Sequence, residues 1–310
     1  NKKMIDLHNR WEVKDHHSTL EKKNALDLLS DNHIDSLDSS AHYRFKQINV
    51  IRYEDIPISN STIRAQYLFE RANHNVHTKC EESYYTFTPQ QNKIGDFLSL
   101  SDQIRKEVYW RIDKNGEPLR ILNEGELKES WENAKRETLP NNEFMNSLDK
   151  EQYQKIIQAG DTEFQDMSLF IRNYRTNLFF RELFGQYLMK SPENYEFEKL
   201  QTMSNFFKDI VIEADLTYSK LKEDENFIFI VKESELDRNK LDEIEMVKQY
   251  NKLYKPKIKY DFTEYDYKYR ATMKLNKEDG LIENLTLSLT EKIKNNLICD
   301  ISFDLKRIES

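Results

Sequence analysis

The sequence YDYKYRATMKLNKEDGLIENLTLSL, residues 265–289, decides the class of fold. In residues 265–275 aromatic and aliphatic side chains alternate with charged and polar ones, and a strand pattern returns in residues 281–289 after the Asp279-Gly280 turn. A period of two is typical of strands that bury one face, and a glycine turn between such strands favours antiparallel pairing. The stretch therefore predicts two antiparallel strands, and residues 297–308 predict a third.

Further strand patterns lie on both sides of a helical middle segment. Alternating runs and one hairpin with Asn115-Gly116 at its turn occupy residues 43–51, 63–69, 85–87, 108–122, 210–218 and 227–231. The middle segment, residues 151–189, has helical spacing, and its last part is apolar on most faces. A helix of this kind belongs in an interior, so we expect it to lie between two sheets.

These patterns predict an α+β fold with two lobes of mainly antiparallel strands around a central helical segment. The expected domains are a helical N-terminal arm and linker at residues 1–40, a first α+β lobe at 41–148, central helices at 149–191 and a second α+β lobe at 192–310. In the arm, Ser18-Thr19-Leu20-Glu21 has the spacing of a capping box, which favours a helix. The arm is either a frayed terminus or a segment that docks on a partner or on the body of the protein.

The composition excludes several classes of protein. The chain has 310 residues, a formal net charge of -8 and 12% aromatic residues. This aromatic content rules out a wholly disordered chain, and the acidic balance provides no broad cationic field for nucleic acid. No run of about 18 apolar residues is present, so we expect no membrane association. Cys80 and Cys299 are compatible with one disulfide or with two reduced thiols, and a reducing cytoplasm is the expected location.

Glycine usage excludes the common nucleotide-binding enzymes. The chain has 6 glycines and each is isolated, so a phosphate-cradling loop or a dinucleotide-binding turn cannot form. The serines near glycines lack the nucleophile-elbow pattern, and no histidine follows His77. We therefore expect a protein that is not an enzyme and that takes no cofactor.

The best candidate for a metal site is the cluster His74, His77 and Cys80, in which three ligand types recur every third residue. On a helix or a tight loop this spacing turns the side chains toward one zinc ion. In an extended strand the same spacing sends them to opposite faces. The segment joins two predicted strands, so a polar hairpin loop is the competing interpretation, and we assign no metal ligand.

Lysines and tyrosines interleave in residues 250–270, next to an acidic run upstream. The stretch is either a cationic helix end followed by an aromatic strand face, a protein-binding surface, or a stacking surface for single-stranded nucleic acid. Tyrosine provides a large contact area at a modest entropic cost, which favours a protein partner if the row is exposed. The residues predicted to bind a partner, including two in the arm, are Trp11, Leu20, Tyr254, Tyr260, Tyr265, Tyr267 and Tyr269.

The hairpin and helix at residues 108–117, with Leu122-Asn123, Leu127 and Trp131, carry a resemblance to a known group of proteins. Together with residues 269–275 and 282–287, they resemble an uncharacterised family encoded near contractile-tail (type VI-like) secretion machinery. The resemblance spans residues 42–305. It implies a role as an adaptor, a loading chaperone, an immunity protein or a structural component of the particle, and it implies no functional residue.

Three functional hypotheses follow from the sequence. The first is a non-enzymatic protein-interaction protein whose partner is another protein, for example a secretion-particle subunit or an effector, with oligomer formation left open. The second is a metal-dependent hydrolase that uses the cluster at residues 74–80 with a carboxylate. The third is a module that binds a small apolar ligand or a lipid between curved sheets.

Overall fold

The computed structural model describes residues 39–309, in which all strands belong to one antiparallel sheet of eleven strands. The strands are β1 Ser39–Tyr53, β2 Ile56–Ala72, β3 Asn75–Thr88, β4 Glu107–Ile112, β5 Pro118–Ile121, β6 Glu198–Met203, β7 Val211–Glu223, β8 Phe227–Leu236, β9 Tyr265–Asn276, β10 Ile282–Ile293 and β11 Leu297–Ile308.

Helices lie in three of the connections between strands. They are α1 Asn92–Ile104 after β3; α2 Glu124–Asn133, α3 Glu143–Asn146, α4 Lys150–Gln165, α5 Met167–Thr176 and α6 Leu178–Leu183 between β5 and β6; and α7 Glu243–Leu253 and α8 Lys255–Ile258 between β8 and β9. A π-helical turn, Ala134–Thr138, extends α2, and short 3-10 turns follow at Leu139–Asn141, Gln186–Leu188, Pro192–Asn194 and Arg238–Lys240. Asparagine or aspartate side chains accept backbone N–H bonds at the starts of α3 to α7, as helix caps do.

The strand order is β5-β4-β3-β2-β1-β11-β10-β9-β8-β7-β6. Neighbours in this order follow one another in the chain, except for β1 and β11. These two strands pair along most of their length, from His42 opposite Ile308 to Tyr53 opposite Leu297. The first and last strands of the described chain therefore hold its two halves in one sheet.

The prediction of mixed helices and antiparallel strands is confirmed. The finer expectation of two lobes is not confirmed, because strands from residues 41–148 and from residues 192–310 share one sheet through the β1–β11 pair. Alternation identifies strands but carries no information about which distant strands pair. Residues 1–38 of the predicted arm, with Trp11 and Leu20, lie outside the described residues, whereas Ser39 and Ser40 belong to β1. The domain boundaries stay a prediction.

The sheet curls around α6. Phe179 of this helix packs on Phe45 of β1 and Tyr67 of β2, with ring centroids 4.9 and 4.5 Å apart. The next residues contact Trp110 of β4 on one side and Lys232 of β8 on the other, through Phe180 and Glu182. One short helix thus contacts strands that are far apart in the sheet order. The apolar helical segment fills the inside of a single curved sheet. The expectation that it lies between two sheets is therefore wrong.

The two ends of the curled sheet carry different elements. Helices α7 and α8 lie at the end where β1 stops and β2 begins, since the ring of Tyr254 approaches that of Tyr53 at 6.4 Å. At the opposite end, where β1 begins at Ser39, lie the turns that precede β3, β5, β8 and β10. No helix within residues 39–309 is both long enough and apolar enough to cross a membrane.

Candidate functional site

The tyrosine row of β9 faces the inside of the curled sheet. Tyr265, Tyr267 and Tyr269 are each 2% exposed, so they do not form the exposed row that would favour a protein partner. The period of two places all three on one face of the strand, and that face is the one that the sheet buries. Their rings belong to the core, and their hydroxyl groups lie beside buried charged residues.

A buried ion pair lies next to this row. The carboxylate of Glu182 accepts hydrogen bonds from Lys232 Nζ at 2.8 Å and from the Tyr269 hydroxyl, and Arg181 Nε lies 3.5 Å from it. Burial alone would raise the pKa of Glu182, but the charges of Lys232 and Arg181 outweigh it and lower that pKa. Burial would also lower the pKa of Lys232, and Glu182 raises it instead. The lysine is thus held protonated and the carboxylate ionised, which suits neither a nucleophilic amine nor a general acid.

A second buried carboxylate, Glu291, anchors the loop between β6 and β7. It accepts hydrogen bonds from the hydroxyl of Ser204, from the backbone and side-chain nitrogens of Asn205 at 2.7 and 2.8 Å, and from the Tyr265 hydroxyl at 2.9 Å. Burial raises the pKa of Glu291, and these four donors oppose that rise. The donors saturate the carboxylate, and its position explains how the loop is held against β10.

Two spaces in the described part of the molecule bear on ligand binding. A cavity of about 10 Å³ lies beside Glu182 and Lys232, with Tyr195 and Tyr218 in its wall. This volume holds about one water molecule. A shallow depression of about 530 Å³ lies on the surface between α1 and α3, and glutamine and asparagine side chains make up much of its wall. The cavity is too small for a lipid or another apolar ligand, and the depression is open and partly polar.

The structure does not bring His74, His77 and Cys80 together. Residues 75–88 form a strand, so His77 and Cys80 point to opposite faces of β3. His74 lies at the preceding turn, where its Nδ1 is 3.2 Å from the carbonyl oxygen of Ile112. In the part of the chain from 39 to 309, no three His, Cys, Asp or Glu side chains converge as a metal site would require. The interpretation of this segment as a loop is also wrong, except at the turn itself.

His77 and Cys80 each have surroundings that differ from a metal site, and Cys299 resembles Cys80. Burial raises the pKa of the Cys80 thiol to about 12, and that of the Cys299 thiol to about 12 as well, so both are protonated at neutral pH. The two thiols are free, and no disulfide joins them. The imidazole of His77 lies between Glu70 and Glu107 on the outer face of the sheet, at 2.8 Å from each. The contacts of His77 therefore join side chains of neighbouring strands.

One exposed surface lies at the end that carries α7 and α8. The large apolar side chains exposed at this end include Ile56 at 68%, Leu253 at 47% and Tyr260 at 58%. Ile56 pairs with Tyr53 across the β1–β2 turn, and the ring of Tyr53 lies 6.4 Å from that of Tyr254, the residue after Leu253. We call the surface formed by Ile56, Lys252, Leu253, Lys257, Lys259 and Tyr260 the α7–α8 surface.

A short network of polar contacts ties the loop after α8 to the turns beside it. The Tyr250 hydroxyl donates to the carbonyl oxygen of Tyr260 at 3.1 Å. The side chain of Asn296, in the β10–β11 turn, donates to the Tyr250 hydroxyl and to the carbonyl oxygen of Asp261. The carbonyl oxygen of Asn296 in turn accepts the backbone N–H of Glu54, two residues before Ile56. The apolar side chains of the α7–α8 surface are therefore carried on a fixed framework.

Three exposed lysines lie on this surface, and the exposed residues Glu54, Asp55 and Asp261 flank it. The chain carries a net charge of -8, yet Lys252, Lys257 and Lys259 are exposed in a short stretch without an acidic residue. Among the described residues no carboxylate lies within 4.0 Å of any of these three ammonium groups, whereas Lys255 is paired with Asp261. Unpaired lysines beside exposed apolar side chains form a surface suited to an acidic partner.

Of the residues predicted to bind a partner, one is part of this surface. Tyr260 is exposed, whereas Tyr254 is half-buried and its hydroxyl donates to the carbonyl oxygen of Phe206 at 2.7 Å. The sequence analysis missed Ile56 and Leu253. The Ile-Pro-Ile run after a turn, and a leucine beside tyrosine at a lysine-rich helix end, are signals that would have identified them.

No model of a known protein family matches the chain, and no curated protein is significantly similar to it.

Proposed function

We propose that the protein is a non-enzymatic binding protein that contacts another protein through the α7–α8 surface. The observation that carries this proposal is the exposure of Ile56, Leu253 and Tyr260 beside lysines without carboxylate partners. Burial of such side chains against a partner is favourable at about 25 cal/mol per Å² of apolar area, and the lysines supply orientation and specificity.

The interior supports the same proposal. Aromatic side chains fill the curled sheet, the buried Glu182–Lys232 pair is held in its charged form, and the cavity beside it has room for about one water molecule. An enzyme or a carrier of apolar ligands needs a reachable pocket with convergent groups. Binding on the outside of a filled fold needs only a stable framework.

The resemblance to proteins encoded near contractile secretion machinery adds a proposal about the partner. On that basis the partner is a subunit or an effector of such an assembly, and the chain acts as an adaptor, a chaperone, an immunity protein or a structural component in the cytoplasm. This part of the proposal rests on the resemblance alone, whereas the position of the binding surface rests on the exposed residues.

Site-specific photo-cross-linking in cells tests the proposal. A photoreactive phenylalanine analogue at position 260 is expected to form an adduct with a specific protein, because this side chain lies within the surface. The same analogue at position 84 is the matched control, since Tyr84 is also exposed, at 55%, but lies on β3.

The adduct at position 260 should disappear in a variant that carries Lys257→Glu and Lys259→Glu. If positions 260 and 84 give the same adducts, or if the charge reversal leaves the adduct unchanged, the surface is not the binding site. The identity of the cross-linked protein decides separately whether the partner belongs to a secretion assembly.

A further inference from the structure

The chain itself contains a segment with the chemistry that the α7–α8 surface requires. Residues 27–38, with the sequence DLLSDNHIDSLD, include Asp27, Asp31, Asp35 and Asp38 and no lysine or arginine. Leu28, Leu29, Ile34 and Leu37 lie between these aspartates. We refer to residues 27–38 as the acidic segment. Its carboxylates match the unpaired lysines of the surface, and its aliphatic side chains match the exposed apolar ones.

The attachment point of this segment limits which of its aspartates can reach the surface of the same molecule. The segment joins β1 at Ser39, and β1 runs 15 residues to Tyr53, where the α7–α8 surface lies. At about 3.3 Å per residue, the two ends of β1 are about 45 Å apart. Asp35 and Asp38 are within four residues of Ser39, which is about 13 Å of extended chain. These carboxylates cannot reach the surface of their own molecule.

We propose that the α7–α8 surface of one copy binds the acidic segment of a second copy, so that the chain associates head to tail. This inference deepens the proposed function and rests on it, because it names a second copy of this chain as the partner. Each copy then offers one segment at one end and one surface at the other. Such an interface is heterologous and repeats until a ring closes or a linear assembly forms.

Pairs of charged groups at an exposed interface weaken as salt rises, because counter-ions screen them over about 8 Å at physiological ionic strength. The association is therefore expected to be stronger at low salt than in concentrated sodium chloride. The apolar contacts through Ile56, Leu253 and Tyr260 do not depend on salt in this way, so a residual association at high salt is consistent with the proposal.

Analytical ultracentrifugation of the full chain and of three full-length variants tests the inference. The surface variant carries Lys257→Glu and Lys259→Glu. The segment variant carries asparagine in place of Asp27, Asp31, Asp35 and Asp38. The control variant carries Lys150→Glu and Lys155→Glu, which places the same charge change on exposed positions of α4.

The wild-type chain and the control variant are expected to gain mass with concentration. The association constant of the surface variant and of the segment variant is expected to fall about tenfold or more, as for the loss of several interfacial charge pairs. A mixture of these two variants is the decisive sample. The surface variant keeps an intact segment and the segment variant an intact surface, so the mixture should form a 1:1 dimer and nothing larger.

Three results would overturn the inference, and they differ in what they mean for the proposed function. A wild-type chain that stays monomeric up to about 1 mM, a weak limit for a specific contact, excludes a second copy as the partner. Association that survives in the segment variant but not in the surface variant shows another occupant. Neither result contradicts the proposed function. A specific cross-linked adduct at position 260 would then support a partner other than a second copy of this chain.

The third result concerns membranes. Vesicles with about 30% phosphatidylserine attract basic surfaces. The result would be that the wild-type chain binds these vesicles, that the surface variant does not bind them, and that no self-association is seen. In that case the α7–α8 surface recognises anionic lipid. That outcome overturns both the inference and the proposed function.

Discussion

At the scale of single residues, His77 links three strands by its side chain. Its two ring nitrogens are each 2.8 Å from a carboxylate oxygen, Glu70 on β2 and Glu107 on β4, and its ring stacks on Tyr109 at 4.3 Å. Burial alone would lower the pKa of His77, but the two carboxylates outweigh it and raise that pKa above the usual 6.5. A doubly protonated imidazolium satisfies both carboxylates at once.

The stabilisation by His77 should depend on pH with a defined sign. Because folding raises the pKa of His77, its contribution is complete below about pH 6.5 and is lost as the pH rises through the raised pKa. The variant His77→Gln should cost about 1–3 kcal/mol at pH 6, and the difference from the wild type should shrink toward pH 9. Urea denaturation at both pH values measures it.

On the acid side the sign is opposite. Burial raises the pKa of Glu107, but the contact with His77 outweighs burial and lowers it, so its contribution is lost as the pH falls below about 4.5. His42→Gln is a suitable control, since His42 also lies 3.1 Å from a carboxylate, that of Glu81, but its side chain is 25% exposed, against 4% for His77. A difference between wild type and His77→Gln that stays constant from pH 6 to 9 would contradict the imidazolium bridge.

The two residues of the buried ion pair, Glu182 and Lys232, should contribute unequally to the free energy of unfolding. Glu182→Gln leaves Lys232 and Arg181 buried without a compensating anion and should cost about 3–5 kcal/mol of unfolding free energy. Lys232→Met should cost less, because Arg181 and the Tyr269 hydroxyl stay beside Glu182. Urea denaturation at neutral pH measures both.

An exposed pair on α4 is the control for these variants. Glu151 and Lys155 are 2.6 Å apart but exposed to solvent at 78% and 68%. Glu151→Gln should therefore change the unfolding free energy by about 0.5 kcal/mol or less. A larger loss in Lys232→Met than in Glu182→Gln would show that Arg181 does not compensate Glu182.

At the scale of elements, the segment between α6 and β6 closes the gap between the two edges of the sheet. On one side, the backbone of Gly116 in the β4–β5 turn lies against the carbonyl oxygen of Gly185. On the other, the side chain of Gln186 donates to the carbonyl oxygen of Glu196 and to the carboxylate of Glu198, each at 2.7 Å. The segment thus contacts the β4–β5 turn and the first residue of β6 at the same time.

The close approach at Gly116 can be separated from its backbone conformation. Gly116 and Gly280 both have positive φ, 75° and 70°, which costs about 1 kcal/mol for a residue with a Cβ. A Cβ at Gly116 would also overlap the carbonyl oxygen of Gly185, whereas nothing lies within 4 Å of a Cβ at Gly280. Gly116→Ala should therefore be less stable than Gly280→Ala by about 1–3 kcal/mol, as in other overpacked sites.

Thermal and urea denaturation of the two alanine variants measure this difference. The comparison needs no other control, since the conformational strain is common to both positions. Equal losses in the two variants would mean that the segment after α6 moves away from the β4–β5 turn at little cost.

At the scale of the whole molecule, the β1–β11 pair makes the fold depend on both ends of the described chain. The pair joins strands that lie more than 240 residues apart, from His42 opposite Ile308 onward, and α6 packs on strands from both halves. We expect residues 41–148 and 192–310 to unfold together, because neither half can lose its strands without exposing the aromatic side chains of α6.

Native-state hydrogen exchange with mass spectrometry tests this expectation and the proposed domain division. Amides of β2 and β3 should lose protection at the same urea concentration as those of β9 and β10. If peptides from the two halves lose protection at clearly different concentrations, the halves fold independently, as the division into lobes predicts.

The sequence by itself determined the class of fold and most of the strands. The alternation in residues 265–275 and the Asp279-Gly280 turn predict the β9–β10 hairpin that the structure contains, because both signals are local. The apolar character of residues 178–188 likewise predicts an interior segment, and α6 fills the interior. Local steric and hydrophobic requirements act over a few residues, so they can be read along the chain.

Only the tertiary structure decided which faces are exposed and which strands pair. Alternation in β9 shows that one face is buried, but Tyr265, Tyr267 and Tyr269 become core residues because a helix far away in sequence packs inside the curl. The pairing of β1 with β11 and the contact of Tyr53 with Tyr254 also join residues that no local pattern relates. Burial is a property of the whole packed chain, and the position of the α7–α8 surface follows from it.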